Sequence, residues 1–379
     1  MPISRLHIRN VRRLVEVELH PGPGVNLLVG PNGAGKTSVL EALHLMAYGR
    51  SFRGRVRDGL IRTGADALEV FVAWDAADGR GPRRAGLRHA GDRWDGRVDG
   101  EPVDQLGTLC AALAVVSFEP GSHALVSGGG EPRRRFLDWG LFHVEHDFVP
   151  AWRRYARALR QRNALLKAGR PDTELEPWER EMAHAGESMT HARAVYLDHL
   201  QDALMDLLPQ LAPSLGRVAL EFQPGWKRQE LSLGDALLVA RGRDRLVGHS
   251  TVGPHRSDWR VSVGAAPSGE ALSRGQAKLV ALSCLLAQAR HLAATLGAWP
   301  VVVLDDLASE LDSDHRTRVL QLLDATGAQV FVSGTDRDLL PLPGRRPTTM
   351  FHVEQGRVEP EPAPSRAVGS SGASGPAVV

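Results

Sequence analysis

Apolar and polar residues alternate near the start of the chain. Val15, Val17 and Leu19 interleave with Glu16, Glu18 and His20, which predicts a strand with one covered face. Val25 to Val29 is instead a short apolar run closed by Gly30, the pattern of a buried strand. The period then changes. Val39, Leu40, Leu43 and Met46 share one face of a helix predicted over Thr37 to Ala47. Between about 68 and 118, short apolar runs (Val70 to Trp74, Leu113 to Phe118) are split by turns rich in Gly and Asp, which predicts a meander of antiparallel strands.

From about 133 to 208 the pattern is helical. Trp178, Met182, Ala185, Met189, Ala192 and Tyr196 recur at alternating steps of four and three, a heptad-like seam. Its length suits a helical arm or hairpin, and equally an amphipathic helix in a small bundle. Later the chain alternates again. A helix over Leu279 to Leu292, a strand over Val301 to Leu304, a helix over His315 to Leu323 and a strand over Val330 to Ser333 predict a parallel sheet. The end is Pro, Ala, Gly and Ser with little to pack, and disorder is expected there. The predicted division is an α/β head in two parts, 1–120 and 251–358, an inserted, mainly helical arm domain, 121–250, and a tail, 359–379.

With 379 residues the chain can bury a large core. No stretch reaches the roughly 18 uninterrupted apolar residues of a membrane span, and the start lacks the basic-then-apolar layout of a signal peptide. A cytoplasmic protein is expected. Cys110 and Cys284 are isolated and suggest neither a metal framework nor a disulfide pattern. The net charge of +2 argues against a uniformly basic nucleic-acid binder, while local patches stay open. Of 46 basic residues only Lys36, Lys167, Lys227 and Lys278 are lysines, so arginine richness alone says little about phosphate binding.

Gly30-Pro31-Asn32-Gly33-Ala34-Gly35-Lys36-Thr37, followed by Ser38, matches the phosphate-binding loop G-x-x-x-x-G-K-[ST] in full, between a predicted strand and a predicted helix. Glycines let the backbone curl so that several N–H groups face one anion, and the helix N-terminus adds its dipole. Lys36 would reach the β- and γ-phosphates of ATP, and Thr37 would ligate Mg²⁺. Val301-Val302-Val303-Leu304-Asp305-Asp306 is a Walker B pattern. Asp305 would organise Mg²⁺ from the strand end, and Asp306 would stand beside the attacking water as base or orienter.

A third motif, Leu272-Ser273-Arg274-Gly275-Gln276, lies about thirty residues before Walker B and opens a predicted helix. By itself it is a Ser N-cap. With the other two motifs it resembles the signature of ABC-type ATPases, with Arg274 in place of the usual first Gly. In that family the signature Ser and Gly meet the γ-phosphate held by the opposite subunit, so Ser273 would act in trans. Ser309-Glu310-Leu311-Asp312 resembles the D-loop of such heads, although Asp312 equally fits a cap for the next helix. No His follows the strand ending at Ser333, and either Ser333 or Thr335 is a candidate for the γ-phosphate. No Q-loop Gln can be placed, but Ser117-Phe118-Glu119-Pro120 lies where that loop would leave the head.

Further stretches resemble the RecF family of bacterial recombinational-repair ATPases. They are Ile8-Arg9-Asn10-Val11-Arg12, Ser51-Phe52-Arg53, Pro132 to Asp138, Gln161-Arg162-Asn163, Gly253-Pro254-His255-Arg256-Ser257-Asp258, Ser273 to Gln276, and Leu304 to Asp312. They keep the family's order and span nearly the whole chain except the tail. The resemblance implies an ABC-type P-loop head, with a mixed sheet plus an antiparallel meander and a short helical arm, like the heads of structural-maintenance-of-chromosomes ATPases. It also implies a homodimer formed on ATP, slow DNA-linked hydrolysis, binding to double-stranded or gapped DNA, and partnership with RecO and RecR in loading RecA on single strands.

The residues themselves offer two arginine patches for DNA phosphates: Arg50, Arg53, Arg55, Arg57 and Arg62, and the helix face of Arg153, Arg157 and Arg160. No aromatic-rich stretch stands out for stacking single-stranded bases, so contact with a duplex backbone is expected. The alternative class is the soluble ATP-binding subunit of an ABC transporter; the helical insert, Arg274 and the missing His disfavour it. A nuclease would need a further carboxylate cluster. A purely structural binder would not need Lys36-Thr37 and Asp305-Asp306 intact.

Overall fold

The computed structural model describes residues 2–53, 59–75, 81–264, 272–342 and 344–361. Arg55, Arg57 and most of the expected tail lie outside them. Two six-stranded sheets flank one helix. The first runs Arg357–Pro360, Thr348–Glu354, Val25–Val29, Val330–Gly334, Val301–Leu304, Val115–Phe118. All its strands are parallel except the edge strand Arg357–Pro360. Its central strands Val25–Val29, Val330–Gly334 and Val301–Leu304 are buried along nearly their whole length, which is why they carry apolar runs. The second sheet, entirely antiparallel, runs Glu16–Leu19, Ile3–Arg9, Leu68–Asp75, Pro82–Ala90, Arg93–Val98, Glu101–Val103. Here one face is wet, and Leu68–Asp75 alternates buried and half-buried residues.

The helix Lys36–Tyr48 lies between the sheets, in one apolar cluster with Leu28, Val301 and Phe331 on one side and Leu6, Ile8 and Val70 on the other. The opposite face of the parallel sheet packs through Leu27, Val116, Val302 and Val332 into a second cluster with the helix Arg274–Leu296. That helix is apolar enough to cross a membrane, but 67% of its most apolar window is buried inside the protein, as in a core helix.

Helices Gly130–Val144, Phe148–Lys167, Asp172–Leu211 and Leu233–Val247 form the arm. The heptad-like residues Met182, Ala185, Met189 and Tyr196 are buried in the common core and not along a two-stranded seam, because Asp172–Leu211 packs against both Phe148–Lys167 and Arg274–Leu296. Charge is buried here too. Arg162 is fully buried and donates to Glu179 (3.0 Å), Asp244 (2.7 Å) and Ser250 (2.8 Å). Arg193 grips Asp138 at 2.8 and 2.9 Å and donates to the Pro254 carbonyl and the Ser257 hydroxyl. Such cations persist in a core only when nearly every donor is matched.

Four expectations change. Val115–Phe118 is not part of the meander; it edges the parallel sheet beside Val301–Leu304, consistent with four consecutive buried residues instead of an alternation. Val15 is exposed, and the first predicted strand begins at Glu16. Asp258–Val263, assigned to the head, pairs with Val218–Gln223 next to the arm. Glu359 and Pro360, assigned to the tail, belong to the edge strand, where Glu359 pairs with His352.

One buried histidine, His44, and two half-buried ones, His143 and His255, make stability depend on pH. Burial pushes His44 down to about 3, and His143 and His255 to about 4, from an ordinary 6.5. Nε2 of His255 lies 3.0 Å from the Ser250 carbonyl, which can only accept, so in the neutral ring Nδ1 accepts from the Tyr155 hydroxyl at 2.7 Å; a second ring proton would have to reverse that bond. Below pH 6.5 the unfolded chain binds protons that the folded chain refuses. Stability should therefore fall from pH 6.5 towards 4, with a limiting slope of about 4 kcal/mol per unit for three protons. Urea midpoints across that range measure it, and a flat profile would contradict the neutral assignments.

Candidate nucleotide site

The strand Val25–Val29 ends at Gly30, where backbone crowding excludes a side chain. A Cβ on Gly30 would lie 2.0 Å from the Val353 carbonyl oxygen on the neighbouring strand. Pro31, Asn32, Gly33 and Ala34 complete the loop, and Gly35, at φ 123°, turns it into the helix Lys36–Tyr48. No acidic residue occupies the first turn, so the positive end of that helix is left for an anion. The loop is braced from outside. Arg13 donates to the Gly33 carbonyl (3.0 Å), and the Gly356 amide donates to the Ala34 carbonyl (2.8 Å). Ser38 is buried and its amide donates to the Gly35 carbonyl.

Lys36 is buried, and its amine donates to the carbonyls of Gly30 (2.7 Å) and Pro31 (3.0 Å). Burial holds its pKa below the usual lysine value, against the opposing pull of Asp306 and Asp305. Asp305 Oδ1 gathers two hydroxyls: Thr37 Oγ1 at 3.0 Å and Ser333 Oγ at 2.8 Å. Burial raises the Asp305 carboxyl, while those two hydrogen bonds oppose the rise. Ser333 Oγ also accepts from the Asp306 amide at 2.8 Å. Asp306 itself takes a left-handed conformation, φ 50°, uncommon for a non-glycine residue and a mark of a locally enforced backbone.

Among the described residues no group of three or more His, Cys, Asp or Glu could hold a metal. Mg²⁺ fits the donors nonetheless, because it needs only one or two protein oxygens when phosphate and water fill the rest. Thr37 Oγ1 and Asp305 Oδ1 converge as that pair.

The signature lies apart from this cluster. Ser273 caps the helix Arg274–Leu296 by accepting from the Gln276 amide at 3.2 Å, and the Gln276 side chain accepts from the Ser273 amide at 2.9 Å. Ser273, Arg274, Gly275 and Gln276 are all exposed, and the side-chain hydrogen bonds of Ser273 and Gln276 are to each other's amides. One turn on, Lys278 Nζ lies 2.8 Å from Glu310 Oε2, which ties the signature helix to the segment after Walker B. Asp312 accepts from the His315 amide and caps Ser313–Asp324.

Several site residues had no clear signal in the sequence. Ser333 was one of two candidates for the γ-phosphate, but its hydroxyl is committed to Asp305 and Asp306. Glu119 follows the edge strand Val115–Phe118, and burial, with the Asp305 charge as a smaller cause, raises its carboxyl. Arg53, assigned to a DNA patch, is close enough for its charge to lower Asp305. Its amide is held by Ser51 at 2.9 Å; Ser51 donates to the buried Glu41, which Arg12 grips with two hydrogen bonds. Arg12 and Ser51 sit in two of the stretches that carried the resemblance, but nothing in their spacing shows that they meet.

The family model described as RecF/RecN/SMC N terminal domain matches residues 2–359. The chain is 60% identical to the DNA replication and repair protein RecF of Stenotrophomonas maltophilia (strain R551-3), over 94% of this chain and 99% of that protein. It is 41% identical to the protein of the same description from Thioalkalivibrio sulfidiphilus (strain HL-EbGR7), over 94% and 98%. Its fold matches a solved structure of the recombination mediator protein RecF with ATP at TM-score 0.84, 24% identity, over 95% and 97%. It also matches an Smc head bound to the winged-helix domain of ScpA at TM-score 0.58, 14% identity, over 95% and 97%.

Ser333→Ala removes the hydroxyl that joins Asp305 to the Asp306 amide. A lost hydrogen bond to a charged group corresponds to roughly tenfold. Nucleotide affinity, titrated with a fluorescent ATP analogue, should stay within about threefold, while phosphate release slows about tenfold. Weaker affinity with unchanged turnover would show instead that Ser333 supports only the binding loop.

Proposed function

Because the chain belongs to the RecF family of DNA replication and repair proteins, we propose that it is an ATP-driven DNA clamp that works as a dimer. The observation that carries this is the exposed run Ser273 to Gln276, already capped and with its side-chain hydrogen bonds made only within itself. A helix N-terminus with a serine hydroxyl and free amides is an anion receptor. In a head-to-head dimer it would close over the γ-phosphate held by the other subunit's phosphate loop.

The cycle follows from the site. The backbone amides of Gly33 to Thr37 and the amine of Lys36 hold the phosphates, Lys36 exchanging its carbonyl partners for phosphate oxygens. Mg²⁺, when bound through Thr37 and Asp305, neutralises charge on the β- and γ-phosphates. Asp306 orients a water and takes its proton as the water oxygen attacks the γ-phosphorus. The bond from phosphorus to the β–γ bridging oxygen then breaks, giving ADP and phosphate. Hydrolysis removes the γ-phosphate that joins the heads, and the dimer opens. One subunit alone lacks the trans signature and should turn over slowly.

DNA is the cargo that the relatives' descriptions imply. Arg153, Arg157 and Arg160 are exposed along one side of Phe148–Lys167, the arrangement that tracks a phosphate backbone. The solved RecF structure with ATP is described as part of the RecFOR pathway. On that basis this chain works with RecO and RecR to load RecA on single-stranded gaps, in the bacterial cytoplasm where the chromosome lies. The relatives give no support to the transporter alternative.

The test is anisotropy of a labelled gapped duplex titrated with protein, with and without ATP, beside the Ser273→Arg variant. Binding that needs ATP and is lost in the variant supports the clamp. Binding indifferent to both removes the dimer mechanism. Specific ATPase activity should also rise with protein concentration, and a constant value would show that each subunit completes its own site.

A further inference from the structure

Tyr48, at the end of the phosphate-loop helix, meets three aromatic residues of the first two arm helices, Trp139, Phe142 and Trp152. Tyr48, at the end of Lys36–Tyr48, stacks on Trp139 with ring centroids 5.2 Å apart and planes 13° apart. One turn along the arm helix, Phe142 meets Trp152 edge to face at 5.8 Å. Together they line a narrow cleft of about 280 Å³. Trp152, at its mouth, is 38% exposed.

Two guanidinium groups, Arg50 and Arg135, line the same cleft. Arg135 is paired with Glu131. Arg50 is half-buried and has no hydrogen bond or ion pair among the described residues. Burial and the neighbouring charge of Arg135 both hold its pKa below the usual arginine value; the charge of Glu131 reaches it, but that carboxylate is taken by Arg135. A half-buried cation beside a second cation, over an apolar floor, is costly unless an anion arrives. An anion carrying a flat apolar ring matches both features. On the DNA-binding reading above, that is a nucleotide.

We propose that this cleft receives one unpaired nucleotide of single-stranded DNA, its base against Trp152 and Phe142 and its phosphate on Arg50. Stacking on its rings needs a base face that is not already stacked inside a duplex. An unpaired base enters freely, whereas a duplex would first have to flip one out. Stacking on aromatic side chains is indifferent to sequence, because every base has a π-face. The arginine face of Phe148–Lys167 would follow a duplex backbone, and the cleft would hold the strand where the duplex ends. At a gap, one protein would then touch both.

The full-length protein with ATP is titrated against a labelled oligothymidine and against a blunt duplex of equal length, over a range of salt. Arg50→Gln and Trp152→Ala are compared with wild type. Neither side chain lies in the nucleotide site, and circular dichroism checks their folding. Arg50, which the sequence patch assigned to a duplex backbone, is assigned here to the single strand instead, so each variant should weaken oligothymidine binding about tenfold and leave duplex affinity unchanged. For Arg50→Gln the slope of log affinity against log salt should also fall by about 0.7 on the single strand only. Equal losses on both DNAs would show Arg50 to be part of a general electrostatic surface and overturn the proposal. So would unchanged oligothymidine binding, or a change confined to ATP hydrolysis. If the wild-type protein binds neither DNA, the DNA-binding function falls and the cleft proposal falls with it. If it binds duplex but not oligothymidine, the cleft proposal falls alone.

Discussion

The Asp305 carboxylate holds the head together at the point where chemistry is expected. One oxygen accepts from Thr37 on the central helix and from Ser333 at the end of the next parallel strand. Ser333 in turn holds the amide of Asp306. Three elements distant in sequence are thereby fixed around a single buried charge. Such a charge is stable only when its partners are in place. The same hydrogen bonds that make it tolerable also set the positions of the metal-ligand candidate and of the residue that would face water. Structural and chemical demands coincide there, and a change to any of the three hydroxyl or carboxyl groups disturbs both.

The head was legible because its motifs are local. Val25 to Thr37 and Val301 to Asp306 each encode a strand, a turn and a candidate ligand within a few residues, and the apolar runs reveal strands covered on both faces. Legibility failed where pairing is long-range. Val115–Phe118 has the same composition as a meander strand, and only its neighbour Val301–Leu304 makes it parallel. Thr348–Glu354 was not foreseen, because its alternate polar positions and its distance from the other strands conceal a place beside Val25–Val29. The aromatic cleft escaped for the same reason: Tyr48, Phe142 and Trp152 are unremarkable singly, and the packing of three helices brings them together.

Other family-like stretches turn out to serve architecture. Arg162 is the hub of a buried network with Glu179 and Asp244. Arg133 binds Asp258 with two hydrogen bonds, and Arg134 donates to the Ser257 carbonyl. Pro132 to Asp138, Gln161 to Asn163 and Gly253 to Asp258 therefore form polar networks that tie the arm helices to one another and to the segment before Asp258–Val263. Directional bonds fix an angle in a way that apolar contact alone does not.

The bracing of the phosphate loop by the last hairpin bears on how the protein is made. Gly30 lies against Val353, and the Ala34 carbonyl is held by the Gly356 amide. The loop leaves the ribosome early in synthesis, but the strand that closes over it comes more than three hundred residues later. A nascent chain therefore carries the motif long before it has the pocket. A chain that stops before the hairpin lacks the wall against which the loop is shaped, so the phosphate-loop motif does not by itself make the pocket.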